Sequence, residues 1–220
     1  MKYLKEVLLL LILFTFPSLS AQFFGTKVAP HYVFPEFEDG VVKLTTGQVT
    51  EAKLNYNMIT EEILFDNNGN ILALAGNTLA NLDSVIILDR KFIREGGKYY
   101  EVLFDEAFTI LIFYGIQVTS AGKEGAYGVK SKVAAIDKYN RFIGSDGNMY
   151  ASELSEEYEL SKKYVYILRK GGEDKKFNSL SHIRKSYKEQ KLKYKTFSKK
   201  HKPKYENPFE ISALIQFLEE

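Results

Sequence analysis

Glu61-Glu62-Ile63-Leu64-Phe65-Asp66-Asn67-Asn68-Gly69-Asn70-Ile71-Leu72-Ala73-Leu74-Ala75 is the stretch that decides the fold class. Two short apolar runs, residues 61–66 and 71–75, flank Asn67-Asn68-Gly69-Asn70. An Asn-Gly pair in that position favours a tight turn with positive φ, so the stretch reads as a β-hairpin. The same grammar continues on both sides. Upstream, residues 40–44 and 48–57 surround Thr45-Thr46-Gly47, with Val42, Leu44, Val49, Ala52 and Leu54 as expected core positions. Downstream, strands are expected over residues 84–88, 91–94 and 99–104, the last two across Gly96-Gly97. Residues 108–118 form the longest apolar run and are rich in β-branched and aromatic side chains. A further strand over 158–166, centred on Tyr164-Val165-Tyr166-Ile167-Leu168, turns at Gly171-Gly172 toward 175–177. Short strands at regular spacing predict an antiparallel body, either a sandwich or an open barrel.

The C-terminal part changes period. Leu180, Ile183, Tyr187, Tyr194 and Phe197 fall three, four and seven residues apart, which predicts a single helix with one apolar stripe, capped by Ser179 or Ser181. Arg184, Lys188, Lys191 and Lys195 form a second stripe, one residue on and about 100° round that helix. Pro203 ends it. Asn207-Pro208-Phe209-Glu210 then supplies a cap, a proline at the first helical position and a glutamate at the third, and Ile211, Leu214, Ile215 and Leu218 give the last helix a buried face. The expected fold class is therefore α+β, a mainly antiparallel β body followed by a C-terminal helical hairpin. Its domains are a β domain over 22–178, interrupted by a glycine-rich excursion at about 120–155, and a basic helical hairpin over 179–220.

Residues 1–21 read as a secretory signal peptide. Lys2 and Lys5 precede the apolar run 7–16, and Pro17 leads into the small residues Ser18, Ser20 and Ala21, although Glu6 trims the positive start. Ten apolar residues at about 1.5 Å each cover roughly half of a ~30 Å hydrocarbon core, which favours a cleaved leader over a retained anchor. No other run is apolar enough to span, since residues 104–118 are interrupted by Asp105, Glu106 and Gly115. After cleavage no transmembrane segment is expected. The expected address is the periplasm or the outer-membrane surface.

Composition removes several chemistries. The 220-residue chain has no cysteine, so it has no disulfide, thiol nucleophile, thiolate metal site or lipid-bearing cysteine. Its net charge of +2 hides a segregation. Residues 22–160 carry 12 basic against 20 acidic residues, a net −8, whereas 161–205 carry 16 against 3, a net +13. A basic segment behind an acidic body suggests docking of one on the other, or a face offered to an anionic partner.

Catalytic signals are thin. His31, His182 and His201 share no metal-ligand spacing, and neither a nucleophile elbow nor a phosphate-binding loop occurs. Asp66-Asn67-Asn68-Gly69-Asn70 has a passing likeness to a calcium loop but lacks its spaced ligands and distal glutamate, so a turn explains it better. Asp146-Gly147-Asn148 is likewise read as a turn. No catalytic, cofactor or metal residue is assigned. Glu156, Glu157 and Glu159 leave a carboxylate-based carbohydrate hydrolase, drawing acids from 120–159, as the alternative reading.

Gly40-Val41-Val42-Lys43-Leu44 with Gly47, Leu54-Asn55-Tyr56-Asn57 and Glu61-Glu62-Ile63-Leu64-Phe65 resemble a group of exported, β-rich envelope proteins of Bacteroidota that have no known activity. Gly125-Ala126-Tyr127-Gly128 and Glu210-Ile211-Ser212-Ala213-Leu214-Ile215 fit the same resemblance. It implies a periplasmic or outer-membrane-associated setting and transfers no catalytic residue. The leading expectation is a non-enzymatic envelope protein that binds an outer-membrane or periplasmic protein or an anionic membrane surface. Arg184, Lys185, Lys188, Lys191, Lys195, Lys199 and Lys200 are the candidate contacts. Nucleic acid is not the expected partner, because export separates the chain from it.

Overall fold

The computed structural model describes residues 31–104, 107–120 and 158–220. The expected leader, the glycine-rich excursion beyond Ser120, and Asp146, Glu156 and Glu157 lie outside the described residues. The elements run β1 (Glu38–Leu44), β2 (Val49–Asn57), β3 (Glu62–Asn67), β4 (Asn70–Ala73), α1 (Gly76–Ala80), β5 (Leu82–Ile87), β6 (Arg90–Glu95) and β7 (Lys98–Phe104). They continue as β8 (Thr109–Ser120), β9 (Tyr158–Lys170), β10 (Glu173–Phe177), α2 (Leu180–Ser186), a 3-10 turn (Lys188–Gln190), α3 (Lys191–His201) and α4 (Pro208–Glu219).

All ten strands join one antiparallel sheet in the order β10-β9-β8-β7-β6-β5-β1-β2-β3-β4. Tight turns explain most of that order. The β3–β4 turn holds Asn68 at φ 55° and Gly69 at φ 89°, while Asp66 Oδ1 accepts a hydrogen bond from the Gly69 amide at 2.6 Å. Two consecutive positive φ values give the hairpin twist that matches the flanking strands. The hairpin stretch quoted first therefore folds as its residues dictate. Only β5 departs from sequence order, pairing with β1 after the chain passes through α1.

The sheet curls until β8 returns to the end of β2. The Ile116 amide donates to the Met58 carbonyl at 3.1 Å, the Tyr56 hydroxyl donates to the Tyr114 carbonyl at 3.0 Å, and Lys98 meets Glu61 at 2.8 Å. Of the two expected β architectures, the open barrel is the one this curl follows. Residues 31–34 run along the same seam, with the Met58 amide donating to the His31 carbonyl and the Val33 amide to the Tyr56 carbonyl. Asn55 fixes the next stretch by donating to the carbonyls of Phe34 and Glu36 and accepting from the Phe34 amide.

Strand register decides which side chains enter the core. In the β1–β2 pair, Val42 faces Thr50 and Lys43 faces Val49, so Val49 shares the solvent side with Lys43. Val49 is consequently 57% exposed, which corrects its expected place in the core. Val42 and Leu54 are buried, and Leu44 and Ala52 pack half-buried against the core. One apolar cluster runs from Val85, Ile87, Phe92 and Tyr56 through Ile110, Ile112 and Tyr166 to Phe177 and the helical residues Ile183, Phe197, Ile211 and Leu214. The helices therefore cover the continuation of the same sheet face that lines the curl.

Candidate functional site

The basic helices are held by three sets of contacts. Ser179 caps α2 by accepting from the His182 amide, and the helix then sets Ile183 and Tyr187 against Phe177 of β10. The Tyr187 hydroxyl donates to Glu219 at 2.5 Å, and Lys170 reaches the same carboxylate at 2.7 Å. Partial burial pushes the Glu219 carboxyl up, but these two bonds outweigh it and hold it below the usual range. Further on, Tyr205 donates to the Phe177 carbonyl at 2.9 Å while its own carbonyl accepts from Tyr166 at 2.8 Å. That exchange pins the connection between α3 and α4 to the sheet.

The single expected helix over 180–197 is two helices. Tyr187 leaves the helical region at φ −110°, ψ 40°, and the 3-10 turn follows before α3 begins. Nothing in the local sequence breaks it. The cause is tertiary: α2 lays its apolar side on β10, whereas α3 lays Phe197 on Phe217 of α4 at 5.3 Å. One straight helix cannot address both surfaces, so the chain bends where Tyr187 is anchored. Lys202, left-handed at φ 47°, and Pro203 stop α3, and Asn207 then starts α4 by accepting from the Phe209 and Glu210 amides.

With their inner sides committed, α2 and α3 present their cations outward. Arg184 and Lys185 on α2, Lys188 on the 3-10 turn, and Lys191, Lys195, Lys199 and Lys200 on α3 are all exposed. The bend divides the expected continuous stripe, but Lys191, Lys195 and Lys199 keep a four-residue spacing on one side of α3. Lys188 meets Glu189 at 3.8 Å with both side chains at least 80% exposed, a pair too solvated to neutralise much charge. Residues 180–205 contain ten Lys or Arg and one acid. Leu192 lies within this basic side and is 78% exposed.

No protein-family model, curated protein or solved structure matches the chain. Geometry has to carry the functional reading, and a second constellation inside the curl therefore counts. Arg90 donates from Nε and Nη2 to the two Glu101 oxygens at 2.7 and 2.8 Å, and the Tyr114 hydroxyl donates to the same carboxylate. The guanidinium lies 4.7 Å from the Phe34 ring centroid and 5.6 Å from that of Phe92. Burial opposes the Arg90 charge, but the carboxylate and phenol outweigh it and raise its pKa. Burial likewise pushes the Tyr114 phenol far up, which keeps it a donor. Beside this group lies a recess of about 150 Å³ lined in part by Arg90, Tyr114, Lys162, Tyr164 and Phe209.

Glu101 is 2% exposed, and both its oxygens are committed to Arg90 and Tyr114. As placed, it ties Arg90 of β6 to Tyr114 of β8 across the concave side of the sheet. Glu159 sits in β9 opposite Thr119, the one acid of the expected hydrolase group within a described strand. Among the described residues, no cluster of three or more His, Asp or Glu could hold a metal ion, and no helix is long and apolar enough to cross a membrane. Sequence reading missed Arg90 because it stands between Asp89 and Lys91 at the start of a strand and reads as surface, and Glu101 because a single acid within a strand reads as solvent-facing. It missed Leu192 because one leucine in a lysine-rich helix looks like core.

Proposed function

We propose that this is an exported, non-enzymatic protein of the cell envelope that docks on an anionic surface through the basic side of α2 and α3. One observation carries the reading: seven exposed Lys and Arg, six on those helices and Lys188 on the turn between them, share one side while the opposite sides are fixed to β10, β9 and α4. The side chains are held on a preformed support and need no folding on binding. The leader-like 1–21 segment supports an envelope setting, as does the resemblance to exported β-rich proteins of Bacteroidota. Each Lys or Arg brought near an anionic surface contributes about 1 kcal/mol, so four simultaneous contacts give roughly millimolar binding and all seven roughly 10 μM.

The test is retention of the purified protein on isolated envelopes. Salt at about 0.5 M shortens the Debye length to roughly 4 Å and should release the protein. Lys191→Glu, Lys195→Glu and Lys199→Glu combined should abolish retention while leaving the circular dichroism spectrum unchanged. Retention that survives both the salt and the triple variant would remove the electrostatic reading.

A further inference from the structure

Building on that reading, we infer that the anionic surface is a lipid leaflet bearing phosphate headgroups, and that Leu192 is the side chain that enters it. On α3, Lys191, Lys195 and Lys199 lie at about 0°, 40° and 80° around the axis, and Leu192 lies at about 100°, inside the same solvent-facing arc. The buried residue Phe197 falls at about 240°, on the opposite side. Leu192 therefore does not point at the protein core. At 78% exposure it is the most exposed of the large apolar side chains among the described residues.

An apolar side chain ringed by cations distinguishes a bilayer from a protein groove. Grooves that receive a helix read several apolar anchors at i, i+3, i+4 and i+7, whereas α3 offers solvent one leucine among lysines. A leaflet asks for less. Its phosphates accept from the lysines at headgroup level, and one leucine reaches the acyl boundary a few ångströms deeper. The ground next to Leu192 fits the same depth. An open groove of about 420 Å³ is lined by Glu189, Gln190, Leu192, Lys193, Thr196 and Phe217, with the Lys193 ammonium 5.4 Å from the Phe217 ring centroid. Leu192 and Phe217 thus supply apolar surface next to the Lys193 ammonium, with Glu189 the one acid of the lining, a pairing that suits a leaflet's tails and phosphates. The charge balance is complementary as well, with ten basic residues and one acid over 180–205.

The chain contains no tryptophan, which makes the experiment direct. Leu192→Trp places a single indole at the inferred point of entry, and Val49→Trp places one at an exposed position on the β1–β2 hairpin. Both proteins are titrated with vesicles of phosphatidylcholine alone or mixed with phosphatidylglycerol, followed by emission wavelength and by co-sedimentation. The inference expects both variants to sediment with the anionic vesicles, with a blue shift and bromolipid quenching for Leu192→Trp only. It also expects Leu192→Ser to weaken vesicle partitioning by about tenfold, the factor for roughly half of a leucine's transfer from water. Salt-sensitive retention on envelopes without vesicle binding would point to an acidic protein partner and overturn the leaflet, leaving the anionic docking intact. Vesicle binding with no blue shift and no quenching at Leu192→Trp would overturn the role of Leu192 alone. Salt-insensitive or absent retention on both vesicles and envelopes would remove the inference together with the reading it rests on.

Discussion

Replacing Glu101 by Gln should destabilise the protein by about 3 kcal/mol. The carboxylate is 2% exposed and receives two donors from Arg90, at 2.7 and 2.8 Å, plus the Tyr114 hydroxyl. Breaking a buried pair by removing one charge costs about 3–5 kcal/mol, mainly because the partner charge stays behind without compensation. Here the Arg90 side chain is 21% exposed and borders the small recess, so it can recover some hydration, which places the cost at the lower end, near 3 kcal/mol. A protein of this size has about 5–15 kcal/mol in total, and the loss should lower Tm by roughly 6–12 °C. Urea titration followed by circular dichroism and tyrosine fluorescence reads it. The companion is the double variant Arg90→Met with Glu101→Leu, which removes both charges and fills the space with apolar atoms. It should lose only about 1–2 kcal/mol, the cost of leaving the buried Tyr114 hydroxyl without its acceptor. If Glu101→Gln costs less than about 1 kcal/mol, or if the double variant loses as much as the two single changes added, the reasoning about an uncompensated interior charge is wrong.

Gly40→Ala should cost about 1–3 kcal/mol, because its added carbon would stand 2.7 Å from the Ile86 carbonyl oxygen and 2.7 Å from a Leu54 methyl, and the backbone oxygen cannot move cheaply; an unchanged urea midpoint would refute the close approach of β1 to β5. Asn207→Ala removes the acceptor for two amides at the start of α4 and should cost about 1 kcal/mol by thermal melting, with Asn207→Ser recovering most of it. His31 is 2% exposed, and burial holds its pKa below the ordinary 6.5. Below pH 6.5 the unfolded chain therefore binds a proton that the folded chain does not, so stability is full above that pH and declines as pH falls toward the lower folded value. His31→Phe should flatten that part of the curve between pH 7.5 and 5, and an identical slope in the variant would place the proton elsewhere.

Much of the strand pattern was legible because turns are local. Asn68-Gly69 and Gly96-Gly97 reach their positive φ values through their own residue types, and each hairpin register follows from the turn that closes it. Asn207-Pro208 likewise starts α4 with groups that lie within three residues of each other. The basic side was visible for a related reason, since lysine count and spacing are properties of composition and period. Arg184, Lys185, Lys188, Lys191, Lys195, Lys199 and Lys200 are all found exposed.

By itself, then, the chain order determined where strands, turns and the last helix form, which chemistries are absent for want of cysteine, and where positive charge concentrates. Tertiary structure decided the outcomes that depend on partners remote in sequence. Pairing of β1 with β5 sets the strand order, and Tyr56 meeting Tyr114 closes the curl from 58 residues away. The parity of the β1–β2 register turned Val49 outward, and the demand that α2 meet β10 while α3 meets α4 split one periodic segment at Tyr187. Arg90 and Glu101 became an interior pair because adjacent strands brought a guanidinium, a carboxylate and a phenol onto the same concave side. Leu192 became an exposed residue for the complementary reason: α3 can bury only one arc of its surface, and Phe197 had already claimed it.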